Sequence, residues 1–130
     1  MGPNEKVLRD AYDRYSAGEI NYDLLAADIV WRSSGDRTRI ASAGEWRGQA
    51  GVRDYFTALR NNWTIREHNV VDVIAQDDSR FAIRVAVHAT HKQTHKTVVL
   101  EKVDLVTMKN GKCIAYAETL DTAPLERASA

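Results

Sequence analysis

A single cysteine, two prolines and no surplus of either charge leave this 130-residue chain without several features by which a sequence usually declares its chemistry. Cys113 has no second cysteine to pair with, so no internal disulfide staples the fold, and a lone thiol fits a reducing compartment. Asn62-Trp63-Thr64, formally a glycosylation sequon, goes unused in such a setting. Lys plus Arg and Asp plus Glu both total 18, so no global field recruits nucleic acid or an anionic membrane. No run approaches the roughly 18 apolar residues of a membrane span, and MGPNEKVLRD lacks the apolar stretch of a signal peptide. The expectation is a soluble, cytoplasmic protein with neither nucleic acid nor membrane as partner. Internal repeats and low-complexity tracts are also missing. At 14.6 kDa the chain is a single domain, residues 1–130, long enough for a hydrophobic core without metal or disulfides.

What is present is strong periodicity. Val7, Leu8, Ala11, Tyr12 and Tyr15 recur at helical spacing over residues 4–17, with Asn4 as candidate N-cap and Gly18 as the stop. Asn21 can cap a second, short helix over YDLLAAD. DIVWRS reads as a strand, Ser34 to Glu45 as a long loop, and Gln49 to Asn62 as a third helix through Val52, Tyr55, Phe56 and Leu59. Strands then follow over about 65–76, 79–91, 96–108 and 113–121, divided by QDDS, KQTH and KNGK. Helices segregated ahead of an antiparallel meander predict an α+β fold with the helices on one face of a curled sheet. Strand 79–91 sets Phe81, Ile83, Val85, Val87 and Ala89 on one face and a mixed set on the other, which is either wet or covered by a second subunit.

The stretch VVLEKVDLVTMKNGKCIAYAETLD plants Glu101, Lys102, Asp104 and Glu118 among residues that favour burial. A two-residue Asn110-Gly111 turn would pair Lys109 with Lys112 and send Glu118 to the face opposite Asp104. A three-residue turn with Gly111 in a bulge pairs Met108 with Lys112, Lys102 with Glu118 and Asp104 with Tyr116. It also gathers Leu100, Val106, Met108, Ile114, Tyr116 and Leu120 on one face. Because a one-residue slip exchanges faces, this second register is the expected one. Lys102, Asp104, Glu118 and the Tyr116 hydroxyl then form a polar island on the inner face, where charge survives only if paired, hydrated or used.

The order of elements, with YSAGEINYDLLAADIVW, EWRGQAGVRDYFTAL and KNGKCIAYAETLDTA, resembles the nuclear transport factor 2-like superfamily in its ketosteroid-isomerase and SnoaL-like polyketide-cyclase branch. The resemblance spans nearly the whole chain. It implies a cone in which a strongly bent sheet wraps three N-terminal helices around an apolar pocket, with the outer sheet face making a homodimer. The reaction is less constrained, since one fold hosts many chemistries. Asp104 matches the strand position at which ketosteroid isomerases keep a protonated acid, but their base position falls on Ser33 and their first-helix tyrosine on Ala11. Glu118 falls where limonene-epoxide hydrolases carry an acid, while the Arg and Asp of those enzymes fall near Val85 and Val87. Asp121 falls near the acid/base Asp of SnoaL-like cyclases.

Two carboxyls in an apolar cavity push each other's pKa values apart, leaving one as donor and the other as base. Asp104 and Glu118, with Asp121 behind them, are the candidate catalytic residues for cofactor-independent isomerase, cyclase or dehydratase chemistry on a hydrophobic carbonyl compound. Tyr15, Trp31, Phe56, Trp63 and Leu120 are candidate walls, Lys102 and Tyr116 polar neighbours, and Ser33 a hydrogen-bonding group at the mouth. The alternatives are a non-catalytic pocket for a lipophilic small molecule and a structural dimerisation module. His88, His91 and His95 lack metal-site spacing on a strand and read as surface residues. GEWRGQAG lacks the strand–turn–helix context of a phosphate loop. Arg37 and Arg39 read as solvated loop charges able to meet an anionic substrate.

Overall fold

A computed structural model describes residues 1–130. The first helix, α1 (Pro3–Ser16), begins one residue early because Pro3 suits the first turn. Gly2 is its N-cap, and the free N–H groups of Asn4 and Glu5 are taken by the Asp78 carboxylate at 3.0 and 2.9 Å. Asn4 does not cap. Its side chain donates to the Asp78 carbonyl and accepts from the Gly111 N–H, tying α1 to two hairpin turns.

The expected second helix shrinks to a 3-10 turn, Tyr22–Leu24, with Asn21 accepting from the Asp23 N–H. From Leu25 the chain is already β1 (Leu25–Ser33), whose Leu25, Ile29, Trp31 and Ser33 are buried. The loop after it ends in a short β2 (Gly44–Arg47), followed by α2 (Gly48–Asn62), β3 (Trp63–Gln76), β4 (Arg80–His91), β5 (Thr97–Lys109) and β6 (Lys112–Thr119). The C-terminal segment TAPLERASA, for which no element is predicted above, forms α3 (Ala123–Ser129) and buries Ala128.

One six-stranded sheet runs β2-β1-β6-β5-β4-β3, antiparallel except where β1 lies parallel to β6. Bulges at Ile65/Glu67 and Val70/Asp72 bend β3, giving the sheet its concave side. Fourteen buried residues from α1, α2 and the inner sheet face form the main core, Val52, Tyr55 and Phe56 among them. The α+β cone architecture is therefore as expected, with the third α-helix at the C-terminal rather than the N-terminal end. No helix is long and apolar enough to cross a membrane.

The β5–β6 register differs from expectation in an instructive way. Asn110 and Gly111, with φ of 52° and 78°, make the two-residue turn, and Lys109 pairs with Lys112. A bulge then intervenes: Met108 pairs with Cys113 but Thr107 with Ala115, so Ile114 is the extra residue. Beyond it Asp104 faces Glu118, not Tyr116, and Lys102 is not directly opposite Glu118. The pairing differs from the expected one by two residues, and two is the period of a strand, so every face downstream of the bulge is the expected face. Cys113 takes the buried position expected of Ile114.

Candidate active site

The sheet curves around a cavity of about 190 Å3 in which 26 of the 35 lining residues are hydrophobic. Alternation along β5 turns Lys102 and Asp104 inward, and alternation along β6 does the same for Tyr116 and Glu118. From β1 come Trp31 and Ser33, from α2 Phe56, from the start of β3 Trp63, and from α1 Tyr15; Leu120 closes the end of β6. All of these expected wall residues line the one cavity. Trp31 stacks on Tyr116 with centroids 3.6 Å apart and planes 16° from parallel, fixing the ring that carries the Tyr116 hydroxyl.

The polar island has a defined wiring. The Lys102 ammonium donates to Glu118 Oε2 at 2.6 Å and lies 3.3 Å from both Asp104 Oδ1 and the Tyr116 hydroxyl. Ser33 Oγ donates to Glu118 Oε1 at 2.6 Å. Tyr116 donates to Asp104 Oδ1 at 2.9 Å, and Tyr12 donates to Asp104 Oδ2 at 2.5 Å. Ser33 is therefore not at the mouth but buried, anchoring Glu118. Tyr12 was legible only as a core position of its helix; it is the first-helix tyrosine that reaches the acid, one residue beyond Ala11.

Charge arithmetic separates the two acids. One buried ammonium can neutralise one buried carboxylate, and Glu118 holds the shorter contact. Burial raises the Glu118 pKa, but the Lys102 charge and the hydrogen bonds from Lys102 and Ser33 outweigh it, so this carboxyl titrates below its usual range. At Asp104 burial wins over Lys102, Glu118 adds repulsion, and the carboxyl is raised. Burial also raises the phenols of Tyr12, Tyr55 and Tyr116, keeping them neutral, whereas the neighbouring Asp104 and Glu118 carboxyls hold Lys102 charged against the desolvation that would lower it.

His68, on β3, was not singled out by sequence reasoning. It lines the cavity, lies beside the Tyr12 ring at 6.1 Å between centroids and meets Tyr15 edge-on at 4.7 Å. Its Nδ1 is buried without a hydrogen-bond partner. Burial, and then the Lys102 charge, lower its pKa to about 3, so the imidazole is neutral. The only sequence signal was an isolated His in an alternating strand, which is too weak to place it.

Asp121 does not join the cluster: it is exposed, and its Oδ1 accepts from the Ala123 N–H at the start of α3. His91 is buried rather than on the surface, its Nδ1 facing the Gln93 and Thr94 N–H groups in the β4–β5 turn. Arg37 is not a free loop charge, because it donates to the carbonyls of Ala43 and Glu45 and sits 3.9 Å over the Trp46 ring. Arg39 lies 3.7 Å from Glu126. No three His, Cys, Asp or Glu side chains converge as a metal-ligand set.

Chemically, the two phenols spend their single protons on Asp104, so the donor left for a developing negative oxygen is the Asp104 carboxyl itself when protonated, in surroundings dry enough to make such a donor count. The neutral imidazole at the same cavity is a polar contact whose lowered pKa makes it a weak base.

The model of the SnoaL-like domain matches residues 8–116. Among curated proteins no sequence match is found. Among solved structures, an NTF2-like protein of unknown function from Burkholderia pseudomallei superposes with a TM-score of 0.87 at 17% identity, covering 98% of each chain. TerC, co-crystallised with polyporic acid, gives 0.84 at 16% identity over 98% of each chain. A protein from Mesorhizobium loti assigned as a SnoaL-like polyketide cyclase gives 0.73 at 20% identity, covering 89% of this chain and 97% of the other. At these identities the likeness is one of fold.

Proposed function

The chain belongs to the SnoaL-like domain family, and from that premise we propose that it acts on a flat, hydrophobic carbonyl compound by acid/base chemistry centred on Asp104. The observation that carries this reading is the imbalance of the buried island: two carboxyls share one ammonium, and the carboxyl without it is held by two phenols. A substrate carbonyl oxygen directed at the protonated Asp104 carboxyl, which Tyr12 and Tyr116 hold in place, gains a stronger hydrogen bond as it becomes enolate-like. Glu118 is a poor base, since both its oxygens already accept short hydrogen bonds. His68, neutral and unbonded at Nδ1, is a hydrogen-bonding group for the substrate rather than its base, because a pKa of about 3 leaves it little affinity for a proton. Tyr15, Trp31 and Phe56 supply the apolar walls that orient a planar ring. Fold neighbours assigned as a polyketide cyclase or crystallised with polyporic acid are consistent with a small-molecule occupant.

The test is a carbon-detected NMR titration of the two carboxyls in the ligand-free protein. Asp104 is expected to hold its proton above the ordinary Asp value of 3.8, and Glu118 to stay ionised below the ordinary Glu value of 4.5. Two unperturbed titrations would remove the acid/base reading and leave a pocket that binds a lipophilic ligand without chemistry.

The same proposal includes a homodimer through the convex sheet face. Ile74, Ala82, Leu105 and Ala117 fall in one row across β3, β4, β5 and β6, and Ile74 and Leu105 are 65% and 50% exposed. Burial of such a row against a second copy removes apolar area from water.

A further inference from the structure

Next to the apolar cavity lies a second cleft of about 310 Å3, formed by the end of α1, the end of α2 and the first half of β3. It is polar where the first is apolar, and the two share Tyr15, Trp63, Ile65 and His68 as a common wall. Arg60 and Arg66 line the cleft, with Glu67 as its single acidic residue. Arg60 and Arg66 are exposed, and neither makes a salt bridge. Arg60 closes the last turn of α2, where a cation suits the helix dipole, and its head lies 5.9 Å from the Phe56 ring that also lines the cavity. The buried His68, with its unbonded Nδ1, stands where cleft and cavity meet.

We propose that the ligand is an amphipathic carboxylate, its flat apolar body in the cavity and its anionic end in the cleft between Arg60 and Arg66. This rests on the reading of the cavity as a ligand site and adds the chemical class of its occupant. The geometry separates the two ends of such a molecule. The cations lining the cavity are both held already, Lys102 by Glu118 and Arg14 by Asp10 and Glu19, and a second anion beside Lys102 would meet Glu118 and the carboxyl of Asp104. In the cleft an anion meets two uncommitted guanidinium groups, which bind carboxylates with directed pairs of N–H donors. Arg60 and Arg66 are here specificity residues and take no part in proton transfer.

The experiment compares 2-naphthoate with methyl 2-naphthoate, two probes of nearly the same shape that differ in charge, by titration calorimetry at low ionic strength. It is run on the wild-type chain and on the Arg60→Gln/Arg66→Gln double variant. The acid is expected to bind the wild type about five- to tenfold tighter than the ester, the size that one or two partly exposed charge pairs supply. That advantage is expected to vanish in the double variant and to weaken with salt, while the ester binds both proteins alike. Equal affinities in the wild type, or an advantage that survives the double substitution, overturn the proposal while leaving the cavity a ligand site. Failure of both probes to bind overturns the proposal and the reading of the cavity together.

Discussion

Asp104 and Glu118 show how little a residue's type says about its state. Both are acids on neighbouring strands and directly paired across them, yet one is raised and the other lowered. The difference lies in Lys102, whose ammonium is 2.6 Å from one carboxyl and 3.3 Å from the other, and in Ser33, which serves only Glu118. His68 allows a direct check on such reasoning through pH. Its folded pKa of about 3 lies below the ordinary 6.5, so between these values the unfolded chain binds the proton and the folded chain does not. Stability contributed by the neutral imidazole is thus complete above pH 6.5 and is lost as the pH falls toward 3, with a limiting slope of about 1.4 kcal/mol per pH unit. In urea titrations at a series of pH values, His68→Leu is expected to lose that slope and to match the wild type best near neutrality. Parallel curves for the two proteins would show that His68 is not held neutral by the fold. Lys102 was legible in the sequence as a neighbour of the acids, because strand alternation gave its face. Tyr12 and His68 were not, since the contact of each with the site spans a large sequence separation and depends on how helix and strand are packed.

At the scale of elements, the β5–β6 hairpin reached its expected faces by an unexpected route. Strand periodicity and turn chemistry distinguish one turn from another but carry no signal for a two-residue turn followed by a bulge at Ile114. Both routes are driven by the same gain, large apolar side chains on one side, and that is why the inner identity of Lys102, Asp104, Tyr116 and Glu118 survived the difference in pairing. The second helix failed for a related reason. Tyr22, Leu24 and Leu25 offer a short helix an apolar side, but Leu25, Ile29, Trp31 and Ser33 also suit a strand beside β6, and the sheet won. The opening turn of α1 offers the clearest test at this level. Asp78 supplies the acceptors that Gly2 lacks, holding the helix that delivers Tyr12 to Asp104. Asp78→Ala is expected to cost about 1–2 kcal/mol, as the loss of a capping acceptor does, and to speed amide exchange at Asn4 and Glu5. The Asp104 titration should move with it if α1 shifts. Unchanged exchange at those two amides would refute the capping role.

For the molecule as a whole, concave and convex faces of one sheet carry different tasks. The concave face meets α1 and α2 around the cavity, whereas the convex face leaves Val99 79% exposed together with Leu105 and Ile74. In the proposed homodimer these side chains are covered. Sedimentation velocity at micromolar concentration is expected to give a dimer for the wild type and a monomer for Leu105→Glu, with the far-ultraviolet circular dichroism unchanged. A monomeric wild type would discard that part of the proposal.

By itself the sequence determined what repeats locally: which stretches are helix or strand, which side chains share a face, and that a charged group sits among apolar ones. Those follow from periods of 3.6 and 2, and each needs only neighbours along the chain. The tertiary structure alone decided the bulge at Ile114, the pairing of Asp104 with Glu118, the arrival of Tyr12 and His68 at the cavity, and the removal of Asp121 to the start of α3. These depend on sheet curvature and on the packing of elements far apart in sequence. Angström-scale distances between such elements decide whether an acid keeps its proton.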